Sequence, residues 1–351
     1  MRILITGNMG YVGPIVAAHL RAKFPGARLV GFDAGYFADC LAGPIEPPET
    51  LFDGQIFGDV REFPEDLLTG VDAVIHLAAI SNDPMGNRFE AVTEEINYRA
   101  TVALADAAAR AGVQNFVFAS SCSVYGAADG AARRETDDVE PLTAYGRSKI
   151  AVERYFESMN PGAMNVTCLR FATACGMSPR LRLDLVLNDF VASALASRKI
   201  TVLSDGTPWR PLIDVRDMAL AIEWAATRAR DNGGPLLTIN AGHDSHNYRV
   251  KELAEAVAAH IPGTEIDINA NAPPDKRSYR VDFSLFRKLA PDFTPRMTLA
   301  DSIAGLRNGL TTMRFTNTQF RNSQHMRLKV LEAHLAAERL TPDLRWRAAL
   351  H

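Results

Sequence analysis

"TGNMGYVG" (6–13) comes directly after the apolar run "RILIT" (2–6) and opens a helical pattern over 11–23. Gly7, Gly10 and Gly13 stand in GxxGxxG spacing. One glycine permits a tight turn, another lets backbone approach a pyrophosphate, and the third allows close helix–strand packing. A glycine triplet alone marks only a turn. Set between a strand and a helix, it reads as a dinucleotide loop, with Tyr11 and Val12 counted beside the glycines as cofactor-binding residues. Asp33 ends the next strand candidate, 20 residues beyond Gly13, where a carboxylate accepts hydrogen bonds from the adenosine ribose. No arginine immediately follows to receive a 2′-phosphate, so NAD is expected rather than NADP.

The rest of the first half repeats this alternation. "RLVGF" (28–32), "AVIHL" (73–77), "NFVFA" (115–119) and "NVTCLRF" (165–171) are continuous apolar runs, which suit strands buried on both faces of a parallel sheet. Helical patterns lie between them near 87–111 and 144–159. The fold class is therefore α/β, a doubly wound parallel sheet (Rossmann) with a smaller C-terminal substrate domain. Residues 1–178 form the NAD-binding domain, with 200–245 partly returning to it. Residues 179–351 are expected to be mainly substrate-binding, with a helical C-terminal extension. "RPLIDV" (210–215) and "LLTIN" (236–240) are further strand candidates, each followed by a helix, at 215–229 and 249–260. "NANAPPDK" (269–276) reads as a loop, and "LKVLEAHLAAERL" (328–340) carries apolar residues at helical spacing.

Composition excludes several classes. The 351 residues are 47% hydrophobic and 23% charged, with a formal net charge of −3. That balance fits a globular protein and argues against a nucleic-acid binder, which is normally basic. No apolar run reaches the roughly 18–20 residues that span a bilayer. The short apolar run after Met1 is too brief for a signal peptide, so a cytoplasmic location is expected. Cys40, Cys122, Cys168 and Cys175 match no common zinc spacing and suggest reduced thiols. No metal site is expected.

"AYGRSK" (144–149) places Tyr145 and Lys149 four apart, on one helix face. A phenol with an ordinary pKa near 10 is a poor base at neutral pH. A nearby ammonium, or the positive nicotinamide of an oxidised cofactor, favours the phenolate. Lys149 can also hold the nicotinamide ribose.

Taken in order, GxxGxxG, Asp33, "HLAA" (76–79), Asn97 in "EINYRAT", "SSCSVYG", YxxxK and "LRFATACG" (169–176) resemble the extended short-chain dehydrogenases/reductases, in the NAD-dependent sugar-nucleotide epimerase/dehydratase branch. "RPLIDVRDMALAI" (210–222), "TINAG" (238–242) and "YRVDFS" (279–284) extend the resemblance to roughly 300 residues. It implies that Tyr145 is the general acid/base, Lys149 its electrostatic partner and Ser121 the hydroxyl that bonds the reacting sugar oxygen. It places Ser120, Leu77, Ala78, Ala79, Asn97 and Phe171 along the cofactor. Asp59 and Val60 of "GDVRE" (58–62) follow another short strand, a position that suits either the border of the adenine or a solvated turn carboxylate. His76 is expected to be a packed strand residue. Ser123, Thr173, Arg210 and Arg277 fall on the substrate side, with Arg280 a weaker candidate for the phosphates. A homodimer through the helices near 87–111 and 144–159 is implied by analogy, and the implied partner is a nucleoside-diphosphate sugar.

Two departures matter. The related 4,6-dehydratases carry an Asp–Glu pair after the catalytic hydroxyl residue, whereas this chain has Cys122 and Ser123. The family's substrate-touching Asn is here Thr173. The expected function is an NAD-dependent change at a sugar carbon through a keto intermediate, first epimerisation at C4. A 4-ketoreductase or dehydrogenase is the alternative and a 4,6-dehydratase ranks lower. A non-catalytic NAD-binding sensor or scaffold is the competing class. The extension over 319–347 is expected to cover the substrate domain or make a subunit contact.

Overall fold

The computed structural model describes residues 1–43, 46–127, 130–269, 272 and 278–347. Seven parallel strands form the main sheet: β1 (Arg2–Thr6), β2 (Arg28–Asp33), β3 (Gly54–Phe57), β4 (Ala73–His76), β5 (Asn115–Ser121), β6 (Asn165–Phe171) and β10 (Leu236–Ala241). Their order is β10-β6-β5-β4-β1-β2-β3. The order reverses between β1 and β4, so a crevice opens beyond the carboxyl ends of these two strands, where α/β sheets bind ligands.

Apolar runs build the sheet because its inner strands are covered on both faces; the edge strand β3 is only half-buried, with Phe57 exposed. Ile3 and Ile5 of β1 share one core with Val16 and Leu20 of α1 (Gly13–Lys23). Leu4, between them, points into the opposite core with Leu104 and Phe156. Those two residues belong to α4 (Thr101–Arg110) and α5 (Ala144–Ser158). The strand period of two thus serves both layers.

The helix expected over 87–111 is broken. It runs as α2 (Asp83–Arg88), α3 (Glu90–Glu94), a π-helical turn at Glu95–Ala100, and α4. The wide turn carries Asn97, whose amide is committed elsewhere: Nδ2 donates to the Ile80 carbonyl at 3.0 Å and Oδ1 accepts from Ile80 N at 2.8 Å. Widened turns of this kind often sit at functional sites.

The strand expected at 210–215 forms as β9 (Trp209–Asp214) but leaves the main sheet. It pairs with β7 (Thr173–Cys175) and β11 (Asn247–Arg249) in a small sheet. A third, two-stranded sheet joins β8 (Lys199–Val202) to β12 (Glu265–Ile268). With α6 (Val186–Ser197), α8 (Val250–His260) and α10 (Leu299–Thr312) these strands make the smaller lobe. α7 (Val215–Thr227) and α9 (Ser284–Leu289) return to the main sheet with β10. Most of the loop expected at 269–276 lies outside the described residues, as does Arg277.

The C-terminal extension corrects the expectation for 319–347. Arg321 does reach the smaller lobe, pairing with Asp189 of α6 at 2.6 Å. Beyond it, α11 (Arg327–Ala336) and the tail cross back to the NAD-binding domain. Leu331, Leu340 and Leu344 are buried with Phe32, Tyr36 and Val60 around the end of β2. Polar contacts follow the same path: Tyr36 donates its hydroxyl to the Leu344 carbonyl, and Arg61 Nη1 donates to the Asp343 carbonyl at 2.8 Å. The apolar face of the extension is satisfied by the loops after β2 and β3. Among the described residues, no helix is long and apolar enough to cross a membrane.

Candidate active site

A cavity of about 1070 Å³ runs from the glycine loop to the smaller lobe. At its first end, β1 delivers the chain into a turn that only glycine fits. Gly7 has φ +74°, and a Cβ there would lie 2.4 Å from the backbone N of Ala78. The Leu77–Ala79 strand end is therefore pressed against the glycine loop, and all three residues line the cavity. A Cβ on Gly13 would meet the Asn8 carbonyl oxygen at 2.1 Å, so α1 must start with glycine to pack this closely. Gly10, Tyr11 and Val12 line the same wall. The Tyr11 hydroxyl donates to the Gly176 carbonyl at 2.6 Å, which ties the glycine loop to the segment after β7.

Asp33 closes this end. Its carboxylate accepts from Met9 N at 2.9 Å and from Gly35 N at 2.7 Å. Burial pushes its pKa up, against the lowering effect of these two N–H donors. Each oxygen keeps a further lone pair for a ribose hydroxyl. Asp59 and Val60 also line the cavity. Asp59 accepts from Arg61 N at 2.9 Å and pairs with the Arg61 guanidinium at 2.6 Å.

The reacting groups meet at the middle of the cavity. β5 ends at Ser121, whose hydroxyl caps the following 3₁₀ turn (Cys122–Tyr125). Ser121 Oγ donates to Ser123 Oγ at 2.9 Å, and Ser121, Ser123, Tyr145 and Lys149 all line the cavity. Thr143 caps α5 by accepting from Gly146 N, which fixes the helix start one residue before Tyr145. Burial pushes Tyr145 up to about 12, and a side-chain hydrogen bond with Ser121 works against that shift. Lys149 is 3% exposed. Burial pushes it down to about 7, and the Glu153 carboxylate opposes this. Its ammonium lies over ring faces, 4.6 Å from the centroid of Phe118 and 5.5 Å from that of Tyr145. In the chain by itself, burial thus outweighs the Ser121 hydrogen bond at Tyr145.

Behind these residues stands a buried polar network that sequence reasoning missed. Glu153 continues the face of Tyr145 and Lys149 by one more helical step. It accepts from Ser120 Oγ at 2.5 Å and pairs with Arg170 of β6 at 2.7 Å. Arg170 Nη1 donates to the Tyr125 hydroxyl at 3.0 Å, which donates to Asn240 Oδ1 at 2.7 Å. Ser120 also reaches the cavity wall. An arginine inside a fully buried strand was the readable signal, because such a charge requires a buried acid. His76 is enclosed between Thr6 Oγ1 (2.6 Å) and Thr101 Oγ1 (2.8 Å). Burial pushes it down to about 3, so it stays neutral.

A model of the NAD dependent epimerase/dehydratase family matches residues 3–242, more than half of the chain. The chain belongs to this family. It is thereby an NAD-dependent enzyme of the extended short-chain dehydrogenase/reductase type. Among its relatives, the UDP-glucose 4-epimerase of Azospirillum brasilense is 27% identical over 303 residues, covering 78% of this chain and 82% of that one. The dTDP-glucose 4,6-dehydratase of Streptomyces griseus is 27% identical over 310 residues, covering 86% and 92%. Among solved structures, MoeE5 in complex with UDP-glucose and NAD has a TM-score of 0.75 at 27% identity and covers 89% of this chain and 99% of that one.

In this epimerase/dehydratase the structure places most of the NAD residues expected from sequence on one cavity wall, Phe171 included. Asn97 stands behind that wall, with Nδ2 also donating to Ser148 Oγ at 3.1 Å, and holds the Ile80 backbone beside the cavity. On the substrate side, Thr173 and Arg210 line the cavity. Arg280 lies away from it, with its guanidinium 5.2 Å from the Trp209 ring centroid. Sequence reasoning missed the pair Arg182–Asp184 on the cavity wall. Arg182 Nε donates to Asp184 Oδ1 at 2.9 Å, Arg182 Nη1 to Ser81 Oγ at 3.1 Å, and Asn82 Nδ2 to Asp184 Oδ2 at 2.7 Å. "PRLRLD" (179–184) holds both Arg180 and Arg182, and only the fold decides that Arg182 is the one tied to Ser81 and Asp184 on the cavity wall.

Proposed function

We propose that this enzyme is a nucleoside-diphosphate-sugar 4-epimerase. The observation that carries the reading is the environment of Cys122 and Ser123, where a dehydratase would place an acid and a base. Cys122 is buried, and its Sγ donates to the Arg170 carbonyl at 3.0 Å. Burial pushes the thiol well above its ordinary pKa, so it stays protonated and outside the cavity lining. Ser123 faces the cavity with a hydroxyl only. Elimination across C5 and C6 requires a proton acceptor and a donor in these places.

What remains is a proton-handling set suited to alcohol–ketone interconversion. Ser121 donates a hydrogen bond to the sugar C4 oxygen, and Tyr145 takes the hydroxyl proton. Lys149, in its ammonium form, places a positive charge beside the phenol and holds ribose hydroxyls. Bound NAD supplies a hydride acceptor and a positive ring next to Tyr145. A keto sugar that turns over within the cavity then receives the hydride on its other face, and Tyr145 returns the proton. Arg210 and Arg277 are assigned to the substrate diphosphate, where guanidinium forks suit phosphate oxygens.

The test is to incubate the purified protein with UDP-, GDP-, CDP- and dTDP-sugars in deuterated water and follow them by mass spectrometry and NMR. One sugar nucleotide should give its C4 epimer at unchanged mass. A product that has lost water, or a stoichiometric build-up of NADH, would reject the epimerase reading.

A further inference from the structure

The part of the fold least foreseen from sequence is the extension that returns to the NAD-binding domain, and it brings a charge with it. Arg327 is the first residue of α11 and is 1% exposed. It lines the main cavity. Three arginines cluster here. Arg180 pairs with Glu49 at 2.6 Å, and Arg182 pairs with Asp184. Arg327 has no carboxylate within 4 Å among the described residues; its guanidinium donates only to carbonyls, Arg180 O at 2.7 Å and Gln324 O at 3.4 Å. The cluster therefore buries one positive charge in excess. A buried charge without an acid partner is costly. Its position at the start of a helix adds to the cost, because the helix dipole is positive there. Burial pushes Arg327 down to about 10, the neighbouring arginines adding to this and Cys40 and the more distant Asp184 carboxylate opposing it, so it is a cation at neutral pH.

The contacts of Arg327 point to one end of the cavity. Its guanidinium lies 4.7 Å from the ring centroid of Phe37, in the loop that follows Asp33. The carbonyl it holds belongs to Arg180, whose own guanidinium donates to the carbonyls of Phe37 and Ala38. Two residues earlier, Ser178 Oγ donates to the Tyr11 carbonyl of the glycine loop at 2.7 Å. Arg327 thus stands between the glycine loop and the end of β2.

We propose that Arg327, delivered by the C-terminal extension, binds the pyrophosphate of NAD and so makes the extension part of the cofactor site. The diphosphate of a sugar nucleotide has the same chemistry, and the Arg182–Asp184 pair near Arg327 leads toward Tyr145, but the direct contacts of Arg327, the Phe37 ring and the Arg180 carbonyl, lie on the cofactor side. This inference rests on NAD dependence and not on the epimerase reading.

The experiment uses the full-length protein stripped of NAD, with calorimetric titration of NAD, ADP-ribose, adenosine and UDP. Loss of a charge-assisted contact corresponds to about 10- to 100-fold in affinity. Arg327→Met should lose that much for NAD and for ADP-ribose alike, while adenosine binding stays within about 2-fold. Arg327→Lys keeps the charge without the fork and should fall between the two. Melting without ligand should be unchanged or higher in Arg327→Met, because the variant removes an uncompensated charge. NAD affinity within about 2-fold of the parent would overturn the proposal. So would a selective loss of UDP binding, which would give Arg327 to the substrate. If Arg327→Met fails to fold, Arg327→Lys decides alone, by weakened or unchanged ADP-ribose binding.

Discussion

Tyr145→Phe should lower turnover by about 100- to 10,000-fold, the range expected for loss of a general acid/base. This corresponds to about 3–5 kcal/mol of barrier. The variant keeps the ring that packs in the cavity wall and removes only the hydroxyl bonded by Ser121, so NAD content after gel filtration should match the parent. Retained turnover with NAD bound would remove Tyr145 from the mechanism. The pH profile has a fixed sign. The basic form of a phenol accumulates as pH rises toward its pKa, which burial has pushed up to about 12 in the chain alone. The rate of the parent should therefore increase with pH through the neutral range, and the residual rate of Tyr145→Phe should lose that dependence.

Glu153→Gln should destabilise the fold by about 3–5 kcal/mol, the cost of leaving one member of a buried ion pair alone. Glu153 and Arg170 have side chains 2% and 7% exposed, so little water can replace the lost partner. The same carboxylate raises the pKa of Lys149 against burial. Its removal drops Lys149 further and leaves less ammonium beside Tyr145 at neutral pH. A double variant, Glu153→Leu with Arg170→Met, should recover much of the stability, because an apolar pair of similar volume needs no partner. Urea denaturation measures both effects. A single variant within about 0.5 kcal/mol of the parent would show that the pair is not desolvated in the way described.

The inner strands were legible because their apolar runs are buried on both faces, as in β1, where Ile3 and Leu4 enter different cores; β3 gave no such run, because its four residues are half-buried or exposed at the sheet edge. Gly7, Asp33, Tyr145 and Lys149 were legible because each acts with residues close by in sequence, at a turn, a strand end or one helix face. The broken helix at 83–110 was not: its π turn answers a contact with Ile80, and periodicity carries no record of it. Glu153 and Arg170 are 17 positions apart, and their pairing is fixed by how α5 lies on β6. Arg327 and Phe37 are far apart in sequence. Helical spacing in the tail announced an apolar face but not which surface it covers. Nothing local distinguished Arg182, which faces the cavity, from Arg180, which holds the loop at Phe37 and Ala38.

The measurement that bears most directly on the proposed chemistry is the fate of hydrogen at C4. A substrate sugar nucleotide from the screen, deuterated at C4, is converted by the holoenzyme and the product is read by NMR. Epimerisation by oxidation and return of the same hydride predicts a C4 epimer that keeps its deuterium at C4, with none in the solvent. Deuterium transferred to C6, or lost from the sugar to released NADH, would contradict it.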